Sequence, residues 1–234
     1  MVYGELGRYP LLIDVKTRII SYWARLVTGK DSKIAYILYS FVKLKFAEDS
    51  LTLPWLKCVK SILDECGLSY VFNSTDINPI WLKLVVKKTL RDQFIQQWQT
   101  TIFESHKCSN YRMFKCIFTQ EAYLSILDHK FYWILSKFRT RNSRLPVEYG
   151  SWFNVPIEER KYHFCVSEEI VGEFHYIFCC NYFNELRKIY IPSCFRNRPS
   201  VHVFYSLFNS KQTSVLRKLC TFITIINETL RSPG

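Results

Sequence analysis

The sequence predicts a mainly α-helical protein, in which a multi-helix region precedes a short cysteine-rich segment and a C-terminal helix. Apolar residues recur at spacings of three and four, which is the period of a helix with one buried face. Glycine and proline are sparse, at 7 and 8 of 234 residues, and this favours helices joined by short loops over many hairpins. An apolar content of 48% is sufficient for a folded core.

Three helices are predicted in the first third of the chain, over residues 11–27, over residues 33–46 and from Pro54 onwards. Gly29 is the expected stop of the first helix, and proline is favoured in the first turn of the third. The apolar positions expected to face the core are Leu12, Val15, Ile19, Trp23 and Leu26 in the first helix, Ile34, Ile37, Leu38, Phe41 and Val42 in the second, and Trp55, Val59, Ile62 and Leu63 in the third.

The longest predicted helix covers residues 76–104, with Asp76 as its N-cap. Residues 69–75 before it are short, β-branched and aromatic, and suit either a strand or an extended connector. Its core-facing positions recur every four residues: Leu82, Val86, Leu90, Phe94 and Trp98.

Basic residues follow the same period along this helix. Lys83, Lys87 and Arg91 lie beside the apolar row. Two interpretations stay open, a solvated charged face and a row of contacts to phosphates, because spacing alone does not show where the side chains point.

The second half of the chain contains a concentrated basic segment. Lys137, Arg139, Arg141 and Arg144 fall within eight positions before Pro146. These residues and the basic row on the long helix are the candidate nucleic-acid contacts. Helices are predicted over residues 111–118, 120–138, 184–190 and 212–230, and the irregular composition after Pro146 divides the chain into regions 1–148, 149–192 and 193–234.

Charge and cysteine content indicate a class of partner and a compartment. A formal net charge of +12 predicts attraction to polyanions, with RNA or DNA first. Nine cysteines form no repeating framework, and no secretory signal or long apolar run is evident. We therefore expect an intracellular protein with reduced thiols, cytoplasmic or nuclear, that neither spans nor binds a membrane.

A candidate zinc site lies in the cysteine-rich segment. His175 and Cys180 are separated by four residues, and Cys165 precedes them. A structural zinc needs four Cys or His ligands, but Tyr162 stands three residues before Cys165, where a zinc knuckle has its first cysteine. The candidate fourth ligands are His163, Cys179 and water. The alternative is a zinc-free segment in which the thiols pack as small apolar side chains.

The succession of these motifs resembles a known family. YGELGRYPLLIDVKTRIISYWARLV, then FRTRNSRLPVEYGSW, then the lone Cys165 and GEFHYIFCC are similar to the region after the polymerase core in proteins of animal non-LTR (LINE-like) retrotransposons. The resemblance implies a helical thumb and linker followed by a zinc knuckle whose ligand positions include Cys165, His175 and Cys180. It also implies that Arg139, Arg144 and Pro146 belong to a basic segment that positions template RNA or target DNA.

The same resemblance sets the expected function. A reverse transcriptase holds Mg²⁺ with paired aspartates, and this sequence contains no Asp-Asp pair. We therefore expect a non-catalytic nucleic-acid-binding fragment, with a reverse-transcriptase core as a candidate protein partner. The alternatives are a structural or protein-interaction domain, a relic without selected function, and an enzyme that uses Cys165 and His175 as nucleophile and base.

Overall fold

The computed structural model describes the chain except for residues 30–32, 49–52, 75, 106–107, 109, 144, 147, 149, 151–152, 157–158, 161–171 and 231–234. The described part is built from helices and contains no β-strand, which confirms the predicted mainly α class. No helix in this part is both long and apolar enough to cross a bilayer.

In chain order the helices are α1 (Val2–Leu6), α2 (Leu11–Thr28), α3 (Lys33–Ala47), α4 (Pro54–Glu65), α5 (Pro79–Glu104), α6 (Tyr111–Phe114), α7 (Tyr123–Ile126), α8 (His129–Arg139), α9 (Asn184–Tyr190), α10 (Ser193–Arg196), α11 (Val201–Phe208) and α12 (Thr213–Thr229). Single turns of other helical types cover Ser69–Asn73 and Asn181–Phe183 (3₁₀) and His175–Cys179 (π).

Helices α2, α3, α9 and α12 match the predicted helices to within one residue at each end. The segment that suited a strand or a connector is the 3₁₀ turn. Two predicted helices in the second half were too long. Helix α6 ends at Phe114, and the segment 120–138 is divided into α7 and α8.

The predicted cap of the longest helix was wrong. Helix α5 begins at Pro79, and the Asn78 side-chain oxygen accepts hydrogen bonds from the backbone N–H groups of Ile80 and Trp81, both at 3.0 Å. Proline fixes the first helical turn, so the residue immediately before it becomes the N-cap. Asp76 is therefore not used to cap the helix.

The chain folds into two compact units. The inserted unit is Tyr9–Trp98, and the terminal unit combines Met1–Arg8 with Gln99–Gly234. The predicted domain boundary after residue 148 lies within the terminal unit. Helices from both sides of that boundary pack together there, and the Cys220 thiol on α12 donates to the Phe131 carbonyl on α8 at 3.4 Å.

The core of the inserted unit is centred on Trp23. Its side chain is fully buried, its ring stacks on Phe72 with centroids 5.9 Å apart, and its indole N–H donates to the Tyr39 hydroxyl at 2.9 Å. Because a buried indole N–H without an acceptor is unfavourable, Tyr39 links α3 to this core by a polar contact as well as by packing.

Helix α3 buries only part of the predicted face. Val42 packs against the core as predicted, together with Tyr39 and Phe46, which were not predicted to face it. Ile37 and Phe41, in contrast, are 63% and 58% exposed. The prediction failed because α3 is apolar almost all round, so the helical period alone allows a stripe on either side.

The core of the terminal unit is rich in phenylalanine. Phe204 and Phe208 on α11 have centroids 4.7 Å apart, and the Phe114 ring lies 5.4 and 5.2 Å from them. Phe138 on α8 stacks on Phe208 at 5.4 Å. Large rings in these tilted and stacked arrangements supply most of the buried apolar area that joins α6, α8 and α11.

The first eight residues pack into the terminal unit. The Glu121 N–H donates to the Glu5 carbonyl at 3.0 Å, and an antiparallel bridge joins Leu6 to Gln120. Gly7 has φ of 58°, and a Cβ at this position would lie 2.3 Å from the Gln120 nitrogen. Glycine is therefore required here by both conformation and space.

A buried charged network holds α1 to α8. The fully buried Arg139 guanidinium donates to Glu121 at 2.7 Å and to the Asn209 side-chain oxygen at 2.9 Å. Its Nε lies 3.5 Å from Glu5. Lys115 donates to Glu121 at 2.6 Å, so two cations and two carboxylates balance inside the unit.

Candidate polyanion-binding site

The basic row predicted on α5 is partly used for packing. Lys87 pairs with Asp14 at 3.0 Å, and this hydrogen bond and charge lower the pKa of the Asp14 carboxyl. The Arg91 guanidinium lies over the Tyr9 ring, 4.8 Å from its centroid. Lys83, in contrast, is exposed and makes no ion pair with any residue that the structure describes. Of this predicted row, Lys83 is thus the residue most available to a phosphate.

The basic segment before Pro146 is also engaged within the fold. The Lys137 ammonium lies 3.4 Å from the centroid of the Trp133 ring, and Arg141 pairs with Glu173 at 3.2 Å. Arg144 lies outside the described residues. Arg139 is completely buried, so we remove it from the candidate nucleic-acid contacts.

The predicted zinc ligands are only partly within the described chain. His163 and Cys165, with Tyr162, lie outside it. His175 is half-buried at the start of the π-helical turn, Cys179 is exposed and Cys180 is fully buried in the terminal core. In the described part of the chain, no three His, Cys, Asp or Glu side chains are grouped as a metal site would require.

The π-helical turn is held by its own backbone and by an arginine. The Cys180 N–H donates to the His175 carbonyl at 2.8 Å, and Arg187 donates to the Ile177 and Cys180 carbonyls at 2.7 and 2.8 Å. Partial burial raises the pKa of the Cys179 thiol, which disfavours the thiolate that zinc binds. Neither feature requires a metal, and the zinc prediction depends on residues 163 and 165.

A basic cavity that the sequence analysis missed lies in the inserted unit. It has a volume of about 610 Å³ between α3, α4 and the 3₁₀ turn Ser69–Asn73. We call it the lysine cavity. Its described lining residues are Lys43, Phe46, Lys57, Lys60, Ser61, Asp64, Ser69, Phe72 and Asn73.

Helix α4 places two of the three lysines. Its apolar positions Leu56, Val59 and Leu63 are buried, which turns Lys57 and Lys60 outward on the opposite face. Residues three apart on a helix are neighbours, so the two ammonium groups are directed to one side. Both lysines are exposed and form no ion pair within the described chain.

Lys43 completes the cavity from α3. Its ammonium donates to the Phe72 carbonyl at 3.0 Å and lies 5.6 Å from the centroid of the Phe72 ring. Burial lowers the pKa of this lysine. Phe72 is itself fixed by Trp23, so Lys43 is oriented by a rigid neighbour. The lining also contains one carboxylate, Asp64, against three lysines.

This arrangement suits an anion with several oxygens. Ammonium groups and the nearby Ser61, Ser69 and Asn73 side chains supply hydrogen-bond donors at a concave surface. The spacing of Lys57, Lys60 and Asp64 along α4 was visible in the sequence, but their grouping with Lys43 depends on the packing of α3 against α4. No protein-family model, curated protein or solved structure matches the chain.

Proposed function

We propose that the protein is a non-catalytic nucleic-acid-binding protein that contacts the phosphate backbone through the lysine cavity. The observation that carries the proposal is the grouping of Lys43, Lys57 and Lys60 around one concave surface. A net charge of +12 supplies long-range attraction to the same ligand, and the exposed Lys83 adds to it.

The sequence resemblance supports the same class of ligand. The post-polymerase regions of non-LTR retrotransposon proteins act on RNA and DNA, and we propose that the chain derives from such a region. A reverse-transcriptase core is then the proposed protein partner. The chain lacks the paired aspartates of the polymerase, so its contribution would be binding and positioning.

Replacing Lys57 and Lys60 together by alanine is expected to weaken binding of a single-stranded RNA oligonucleotide about tenfold at low salt. The slope of log Kd against log salt should fall by about 1.4, since each phosphate contact on a single strand contributes about 0.7. Fluorescence anisotropy over a salt series measures both quantities.

The matched control replaces Lys211 and Lys218, two exposed lysines of the terminal unit, by alanine. This control removes two positive charges, as the Lys57 and Lys60 variant does, but from a different surface. If both double variants weaken binding equally, the ligand responds to net charge and not to the lysine cavity. If the unaltered protein does not bind at low salt, the proposed function is wrong.

A second candidate function, self-association, is favoured by the exposed face of α3. Its apolar side chains are all more than half exposed: Ile34, Ile37, Leu38, Phe41 and Leu44. Five side chains of this size expose on the order of 600 Å², against roughly 800 Å² per partner in a standard interface. Lys45 and Glu48 pair with each other at 2.8 Å at the end of the helix, so these two charges offset each other.

Replacing Phe41 by aspartate is therefore expected to abolish self-association without loss of stability, because the side chain is largely exposed. Sedimentation velocity at tens of micromolar protein should give a mass above 28.0 kDa for the unaltered chain and 28.0 kDa for the variant. Val201→Asp, at an exposed position on α11, is the control and should leave the mass unchanged. A monomeric unaltered chain would exclude this candidate.

A further inference from the structure

A second cavity adjoins the lysine cavity along α3. Its volume is about 920 Å³, and Lys43 lines both cavities. We call it the tyrosine cavity, because Tyr36 and Tyr39 form part of its wall. Ser74, Asp76 and Ile77, which precede α5, also line it.

The side chains of Tyr36 and Tyr39 differ in burial and in hydrogen bonding. Tyr39 is buried, and its hydroxyl accepts the hydrogen bond from the Trp23 indole, so its ring is fixed in the core. Tyr36 is 43% exposed and makes no hydrogen bond through its side chain within the described chain. The cavity therefore has one rigid wall and one open aromatic face, and an open aromatic face is a stacking surface for a base.

Asp76 gives the lining of the tyrosine cavity a carboxylate, opposite in charge to Lys43. The N-terminal N–H groups of α5 are already satisfied by Asn78, so the Asp76 carboxylate is not used in capping. It is exposed and makes no hydrogen bond or ion pair with any described residue. A carboxylate repels phosphate but accepts hydrogen bonds from the amino and imino groups at the edge of a base.

We propose that the tyrosine cavity binds an unpaired nucleobase of a single strand whose phosphates lie at the lysine cavity, with Lys43 between base and backbone. This inference rests on the proposed function. A basic cavity that shares Lys43 with a cavity lined by an aromatic ring and a carboxylate offers sites for a phosphate and a base of the same strand. A paired base cannot offer its edge to Asp76 or its face to Tyr36, so the site selects single strands over duplex.

The test compares Tyr36→Ala and Tyr36→Phe with the unaltered protein. Each is titrated with a fluorescent single-stranded RNA of mixed sequence, and with the same RNA annealed to its complement, at one salt concentration. Loss of one stacked base is expected to weaken single-strand binding by Tyr36→Ala at least fivefold. Tyr36→Phe keeps the aromatic face and should bind single strands as the unaltered protein does.

Duplex binding should be the same in all three proteins, because the lysine cavity is intact. If single strands bind and Tyr36→Ala binds them as tightly as the unaltered protein, the base site is excluded while the proposed function stands. Equal loss for single strand and duplex also overturns the inference, since a damaged fold affects both. If the unaltered protein binds neither RNA, the inference and the proposed function fail together.

Discussion

Replacing Arg139 by methionine is expected to lower the free energy of unfolding by about 3–5 kcal/mol, because the change leaves the buried Glu5 carboxylate without its cation. Glu5 and Glu121 both face the guanidinium, at 3.5 and 2.7 Å, and Glu5 is buried, whereas Glu121 is partly exposed and keeps Lys115 as a second cation. Methionine has a similar length, so the main change is the loss of charge and hydrogen bonds. Urea denaturation of the whole protein, followed by circular dichroism, measures the effect.

The surroundings of Arg139 explain why the expected effect is large. Its guanidinium lies between the rings of Phe114 and Tyr123, with centroids at 5.0 and 5.1 Å. The Tyr123 hydroxyl donates to Glu5, and burial raises the pKa of that phenol. Removing the cation therefore disturbs an aromatic contact and a hydrogen-bonded carboxylate as well as the ion pairs.

An exposed ion pair provides the control for this prediction. Arg217 pairs with Asp128 at 2.7 Å on the surface of the terminal unit, and Arg217→Met should change the unfolding free energy by less than about 1 kcal/mol. A double variant that combines Arg139→Met with Glu5→Gln should recover part of the loss, because Glu5 is then uncharged and Glu121 still pairs with Lys115. An equally small effect of Arg139→Met and Arg217→Met would contradict the structural role of Arg139.

Local sequence patterns were sufficient to predict the fold class and the bounds of several helices. They were not sufficient to predict which face of each helix is buried. The bounds of α2, α9 and α12 follow from apolar period and stop residues within one chain segment. Helix α3 was placed correctly, but of its predicted core positions only Val42 packs against the core, and the other four are exposed. Its partners lie elsewhere in the chain, as the contact of Tyr39 with Trp23 illustrates.

Because local patterns do not show tertiary contacts, they also misplaced the candidate sites. Arg139 was assigned to a nucleic-acid surface because basic residues crowd around it, and nothing local shows that Glu5 and Glu121 reach it. The lysine cavity was missed for the converse reason, since Lys43 is distant in sequence from Lys57 and Lys60. Charge density along a chain indicates a class of ligand, but the arrangement of charges on a surface depends on tertiary packing.

A pair of buried glutamates in the terminal unit makes its stability depend on pH. Glu148 accepts hydrogen bonds from the backbone N–H and hydroxyl of Ser143, at 2.8 and 3.1 Å, and its neighbour Glu173 accepts one from Asn110. Burial, and then the charge of Glu173, raise the pKa of Glu148 from 4.5 to about 8. Arg141, 3.2 Å from Glu173, is the cation that faces this pair among the described residues.

The direction of the effect follows from the raised pKa. The folded state holds the Glu148 proton more tightly than the unfolded chain, so the stability that this proton contributes is complete below about pH 4.5 and is lost as the pH rises through 8. Glutamine resembles the protonated carboxyl. Glu148→Gln should therefore be more stable than the unaltered protein, by a margin that grows by about 1.4 kcal/mol per pH unit between the two pKa values.

Urea denaturation at a series of pH values from 4 to 9 measures the difference in unfolding free energy between Glu148→Gln and the unaltered protein. This difference should level off above pH 8. Glu185→Gln is the control, because Glu185 is exposed and pairs with Lys188 at 2.6 Å on the surface, and this variant should change the unfolding free energy by less than about 1 kcal/mol throughout the series. If the gain in unfolding free energy of Glu148→Gln does not change with pH, the Glu148 carboxyl titrates alike in the folded and unfolded chains. In that case the hydrogen bonds from Ser143, together with the nearby Arg141, would be sufficient to hold Glu148 charged in the interior.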